Sequence, residues 1–329
     1  MSTTSTNLPS AGPVTASRSF VSRLREGDEI ARLLTFLCAA SVVLITVLLV
    51  FELWRQSALP RHKFGFSFFL TRVWDPIAEQ FGALPFIYGT LVTAAVALLL
   101  AVPLGIGAAI FLAELAPLRL SDPLQFLIDL LAAVPSVIYG FLGFFIVVPL
   151  MREWIEPALK KSLGFLPLFQ GPAYGIGFLT AGIVLAIMVI PYIISVSREV
   201  LLSVPRDQRE AALALGSTRW ESTWKVVVPF ARTGIMGSIF LALARALGET
   251  MAVTMVIGNT PTISASLFSS GYSIAAVIAN EFTEATGDLY LQSLIELGLV
   301  LFLLTFILNG LARLMMLLTT RRGTGMGNA

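Results

Sequence analysis

The stretch ARALGETMAV, residues 244–253, holds the two side chains with the most chemistry to offer, Arg245 and Glu249. They stand four positions apart in a run from Phe230 to Gly258 whose only other charge is Arg232. A guanidinium presents planar donors that match an oxyanion. A carboxylate one helical turn away would hold that guanidinium in place and weaken its grip, as suits a site that must release what it binds. A second reading is structural: the pair locks this segment against its neighbours, since buried pairs also serve packing specificity. As a stabiliser the pair is weak, because Arg ahead of Glu is the poorer order and helical pairs are worth roughly 0.2–0.5 kcal/mol.

On a helical wheel Arg245 and Glu249 share a face with Gly234, Gly237, Ser238 and Ala242, while Ile235, Phe240, Leu243 and Met251 take the other. Small residues beside charges fit either a tight helix–helix contact or the wall of an aqueous path. Arg245 lies 15 residues beyond Phe230, which is about 22 Å along a helix. That is too deep to reach the surface easily, and a central arginine costs about 2.5–3.5 kcal/mol on insertion, so it should face protein.

Other chemistries find little support. His62 is the only histidine and Cys38 the only cysteine, so neither a zinc set nor an intrachain disulfide is available. No phosphate-binding G-x-x-x-x-G-K-[ST] loop and no nucleophile–base pair occurs. No nucleic-acid partner is expected. His62 reads as a solvated loop residue, and Asp129 and Glu296 as groups that reach an interface or cap a polar contact.

Composition says what must position these residues. Of 329 residues, 56% are hydrophobic and 13% charged, where soluble domains carry roughly a quarter charged. Six apolar runs, about 31–54, 85–113, 124–150, 174–196, 230–257 and 289–318, are long enough to cross a bilayer. The expected fold is an all-α polytopic membrane domain over 31–320. A disordered tail over 1–30 and a short tail over 321–329 flank it. With the N-terminus inside, fourteen lysines and arginines fall on the inner segments and seven on the outer ones, which places both termini in the cytoplasm. Pro103, Pro135 and Pro191 interrupt spans and should kink them. Residues 163–175, rich in Gly and Pro, read as an irregular outer loop.

The longest inner segment, 205–229, reads as helix–turn–helix. Pro205 suits a helix start and Gly216 a C′ position. Thr218 with Glu221 forms a capping-box pattern for a second short helix that should end before Pro229.

Here a family resemblance enters. Glu210-Ala211-Ala212, then Gly216, Val226 and Val228-Pro229, resembles the EAA loop of ABC-importer permeases, with valines where the family prefers Ile and Leu. RALGETMAVTMVIGN (245–259) and DLLAAVPSVIYGFLG (129–143) resemble the phosphate-specific branch. In the companion half, Ala-Pro-Leu typically follows Gly-Glu-Thr, whereas Met-Ala-Val follows here. The resemblance implies a type I importer permease of six transmembrane helices, working by alternating access in the bacterial inner membrane. Glu210, Ala211, Ala212, Gly216 and Pro229 would couple it to an ATPase, and Arg245 and Glu249 would border the substrate path. It implies a PstA-like permease partner, two PstB-like ATPases and a PstS-like phosphate-binding protein. No cofactor is expected in this chain, with Mg-ATP on the ATPases. Alternatives are another oxyanion (sulfate or molybdate), the PstA-type half, or a sensor on the same scaffold.

Overall fold

Four X-Pro steps decide where the helices of this chain open. In the computed structural model, which describes residues 28–324, a π turn precedes each: Phe111–Leu115, Gly143–Val147, Met151–Ile155 and Thr223–Val227. The residues just before Pro117, Pro149, Pro157 and Pro229 donate their N–H five positions back, to the carbonyls of Phe111, Gly143, Met151 and Thr223. Proline has no N–H and its ring crowds the preceding turn, so at Pro149, Pro157 and Pro229 widening that turn by one residue relieves both problems, whereas at Pro117 the helix ends with Ala116 extended.

The elements in order are α1 (Asp28–Gln56) and α2 (Ala58–Phe64), then α3 (Leu84–Leu115) and α4 (Leu118–Ala132). The span α5 (Ser136–Leu163), interrupted by two π turns, precedes α6 (Phe178–Leu202) and α7 (Arg206–Ala214). The remainder are α8 (Arg219–Leu247), α9 (Met251–Ile257), α10 (Ile274–Glu281) and α11 (Asp288–Thr324). Six of them, α1, α3, α5, α6, α8 and α11, are long and apolar enough to cross a membrane, and no strand occurs among the described residues. The fold is therefore the expected all-α polytopic one.

The chain divides into two units at Glu52. In the first, α1 is apolar on every side, exposing Phe36, Val42, Leu49 and Phe51 alike, as suits a helix solvated by lipid. In the second, α6 is the central helix, with most of its apolar length buried. Ala94, Ala97 and Ala101 of α3, Leu185, Val189 and Ile193 of α6, and Ala242 and Val256 share one core. Small residues let backbones approach where no water drives association. A Cβ at Gly105 would lie 2.7 Å from Ile193, and one at Gly234 would lie 2.4 Å from Val200. A separate aromatic cluster joins Phe68, Phe81 and Phe86 to Trp74, Tyr272 and Tyr290. Glu281 sits at its edge and accepts from Trp74 Nε1 at 2.8 Å and Tyr290 Oη at 2.7 Å.

Several expected bounds differ. The run 124–150 is not one span: helix α4 stops at Ala132, Pro135 stands in extended backbone, and α5 starts afresh at Ser136. Residues 151–163, expected in an outer loop, stay helical because the π turns absorb Pro149 and Pro157. The second helix of the 205–229 segment does not end before Pro229 but runs on into α8 through the π turn Thr223–Val227. The expected span 230–257 is instead broken after Leu247. His62 lies in α2, exposed. Helix already begins at Asp28, inside the expected N-terminal tail, and continues to Thr324. The remainder of both expected tails, 1–27 and 325–329, lies outside the described residues.

Candidate functional site

Arg245 occupies the last turn of α8. Its guanidinium carbon lies 4.2 Å from the ring centroid of Tyr192 on α6, a cation–π contact. Its Nε is buried and has no hydrogen-bond partner. The Tyr192 hydroxyl donates to Ala132 O at 3.0 Å, and the Tyr139 hydroxyl of α5 donates to Leu131 O at 2.8 Å. The last carbonyls of a helix have no partner within it. Two tyrosines therefore cap the end of α4, and one of the two also carries the arginine.

Glu249 is not a helical neighbour of Arg245. The helix ends at Leu247 with Gly248 at φ −94°, ψ 1°, and it resumes at Met251. Among the described residues no ion pair joins Arg245 to Glu249. The expected pair presumes a continuous helix, and the break at Gly248 removes it. Glu249 Oε1 instead accepts from the Ala252 N–H at 3.2 Å. A carboxylate is favoured at that position, the positive end of α9. Irregular backbone at membrane depth is tolerated only where protein buries it or a watery cavity meets it. The break thus marks residues 248–250 as a special place in the bundle.

Below Tyr192 on the same face of α6, at i+3, stands Ser195. Its hydroxyl donates to Asp129 Oδ1 at 2.7 Å. Gln125 Nε2 donates to that same oxygen at 2.7 Å and to Ser195 Oγ at 3.1 Å, while Gln125 Oε1 is buried without a partner. Asp129 thereby caps a polar contact between α4 and α6, as expected. The sequence reading missed Gln125, Tyr139, Tyr192 and Ser195. The available signal was polar side chains recurring three or four apart in otherwise apolar helices.

The small face of α8 resolves into a helix contact over most of its length. Gly234 abuts Val200, Ser238 Oγ lies 2.7 Å from Ser197 Oγ, and Ala242 is fully buried. Beyond Ala242 the face meets the aromatic ring of Tyr192 on α6 at Arg245.

At the opposite end of α8, helix α7 closes with Gly216 at φ +86°. Gly216 N donates to Leu213 O at 2.9 Å and Ser217 N to Ala212 O at 3.3 Å, the paired bonds of a Schellman cap. Thr218 and Glu221 form the expected capping box. Glu210, Ala211 and Gly216 are exposed, as is Leu215 at 90%, whereas Ala212 is turned inward. Ala211 thus lies on the exposed side of α7 and Ala212 on its buried side. Pro229 is exposed at the π turn that joins the short helix to the span. Trp220 and Trp224, half-exposed, pack edge to face 5.6 Å apart on the same surface.

What fixes α7 to the bundle is Arg209, noted in the sequence only as an inner positive charge. Its Nη2 lies 2.8 Å from Glu114 Oε1 and 2.7 Å from Leu201 O, and its Nε also reaches both Glu114 oxygens at 3.2 Å. Glu114 belongs to the π turn that ends α3.

Residues 101–317 match the model of the family described as binding-protein-dependent transport system inner membrane component. The chain is 49% identical over 285 residues to the phosphate transport system permease protein PstC of Mesorhizobium japonicum, covering 84% of this chain and 87% of that one. It is 52% identical over 262 residues to PstC of Xylella fastidiosa, covering 78% and 81%. It is 40% identical over 293 residues to the probable PstC of Methanocaldococcus jannaschii, covering 87% and 92%. Among solved structures, the fold is similar to a chain of a bacterial ABC transporter involved in the import of the polysaccharide alginate. That match has TM-score 0.57 at 16% identity and covers 88% of this chain and 98% of that one.

Proposed function

We propose that this chain, which belongs to the binding-protein-dependent transport system inner membrane component family, lets phosphate cross the membrane along a path bordered by Arg245. It is the multi-pass permease subunit of a phosphate ABC importer and is not itself catalytic. The observation that carries the path is the buried, acceptor-free Nε of Arg245, held on Tyr192 beside a break in the helix. A guanidinium stacked on a ring keeps its edge available for an oxyanion. A single cation with no ion-pair partner among the described residues suits brief contact rather than retention, and a transport step needs release.

In this reading a PstA-like permease completes the pore and a PstS-like protein delivers phosphate from outside. Two PstB-like ATPases, which hold Mg-ATP, dock on the exposed face of α7 and the tryptophans of α8. The chain sits in the bacterial inner membrane with both termini in the cytoplasm. Closure of the ATPases moves α7, and with it α8 and the end of α3, so that ATP and phosphate binding become linked through one two-state element. Phosphate-stimulated ATP hydrolysis by the reconstituted complex, with sulfate as control, tests the assignment. Stimulation by phosphate alone is expected, and equal stimulation by sulfate would refute the specificity.

A further inference from the structure

A cavity of about 340 Å³, sharing no lining residue with the Arg245 site, opens where α2 and the 3₁₀ turn Gly65–Phe69 meet α11. Its walls are Trp54, Phe66, Phe69, Leu299 and Leu303. Phe66 and Leu303 are also exposed beyond it, so the walls continue as an apolar surface. Two charged side chains line this otherwise apolar space, Arg61 and Glu296.

Glu296 is only 2% exposed, and its Oε2 has no hydrogen-bond partner. A carboxylate can only accept, and a buried acceptor without a donor is unfavourable. Arg61 does not serve as that donor: among the described residues no ion pair joins the two. Its Nε donates to Ser57 O at 3.0 Å, its Nη2 to Trp54 O, and its guanidinium lies 3.7 Å over the Trp54 ring. Arg61 is thus fixed to the turn after α1, with Nη1 making no hydrogen bond among the described residues. The cavity therefore combines an acceptor lacking a donor, a fixed cation apart from it, and an apolar exit along a membrane-crossing helix.

We propose that this cavity binds one phospholipid with a primary ammonium headgroup, a phosphatidylethanolamine. The ammonium donates to Glu296, the lipid phosphate meets Arg61, and an acyl chain lies over Phe66, Leu299 and Leu303. One acceptor lacking a donor, one cation and apolar walls match the ammonium, phosphate and tail of such a lipid. Choline lipids carry the same charges but no N–H, so they leave Glu296 without a donor. Selection between the two headgroups is the distinguishing consequence.

The assembled transporter, extracted from membranes containing equal ethanolamine and choline lipids, is analysed by native mass spectrometry. At least a fivefold excess of bound phosphatidylethanolamine is expected, and Glu296→Gln brings the ratio close to one while Arg61→Gln lowers retention of both lipids. Equal retention by the unaltered complex overturns the proposal, as does an unchanged ratio in Glu296→Gln. In case that variant does not assemble, melting of the unaltered complex is compared in vesicles of pure dioleoyl phosphatidylcholine and in vesicles with one third phosphatidylethanolamine. A higher midpoint with the ethanolamine lipid supports the site, and identical midpoints overturn it. A helix of a neighbouring subunit seated in the cavity in the assembled complex overturns it as well.

Discussion

Arg209 of α7 grips Glu114 at the end of α3, with Nη2 2.8 Å from Oε1, and both side chains are largely buried. The surface helix is thereby tied to the end of α3, and the tie does not involve the exposed face of α7. Breaking a buried pair by removing one partner costs about 3–5 kcal/mol. Glu114→Ala and Arg209→Ala should each lower the melting temperature and reduce phosphate-dependent ATP hydrolysis, with the ATPases still able to bind. Unchanged hydrolysis in both variants would show that the tie carries no coupling.

Arg245→Gln should assemble normally and lose phosphate uptake at least tenfold, equivalent to about 1.4 kcal/mol. Arg245→Lys should retain part of it, because the charge survives and the planar fork does not. Uptake by proteoliposomes under saturating ATP measures both. Full uptake in the Gln variant would remove Arg245 from the path.

Glu249→Gln keeps an oxygen for the Ala252 N–H and deletes only the charge. The variant should therefore melt only slightly below the parent, by the helix-end charge worth about 0.3–1 kcal/mol, with a changed phosphate concentration for half-maximal uptake. Glu249→Leu, which loses the acceptor, should melt lower by the value of a helix cap, about 1 kcal/mol. Equal melting of all three proteins would contradict the bond.

Gly216 stands at φ +86° and donates its N–H to Leu213 O. Proline can supply neither the angle nor the proton. Gly216→Pro should unwind the end of α7 and abolish copurification of the ATPases, while the permease pair still inserts. Normal copurification with normal uptake would exclude α7 as the docking element.

Tyr139→Phe with Tyr192→Phe leaves the ring under Arg245 and removes both side-chain donors at the end of α4. Each lost bond is worth about 1 kcal/mol. Lower melting with most uptake retained is expected. A collapse of uptake at unchanged melting would make the hydroxyls part of the path.

Length and hydropathy suffice for the number of spans, and local capping chemistry suffices for the turn at 216–221, where Thr218 and Glu221 meet as their spacing predicts. The same chemistry fails at prolines. Pro229 reads as a stop, yet it is absorbed by a π turn, as Pro149 and Pro157 are, because tertiary packing holds the wider helix in place. Pro135, which reads as a kink, is a true break. Spacing alone also mispairs Arg245: four residues mean one turn only if the helix continues, and Gly248 ends it. The real neighbour, Tyr192, lies on another helix 53 positions earlier. Arg209 is visible in the sequence as a charge, but its partner Glu114 is 95 residues away, and no local pattern connects the two.

Because the π turn before Pro229 keeps the helix unbroken, Arg219 and Arg245 are the two ends of one rod. Its 26 steps span about 40 Å at 1.5 Å each. Torque applied at Trp220 is therefore delivered at the guanidinium as rigid rotation, like a crankshaft turned from its handle, and needs no hinge in between.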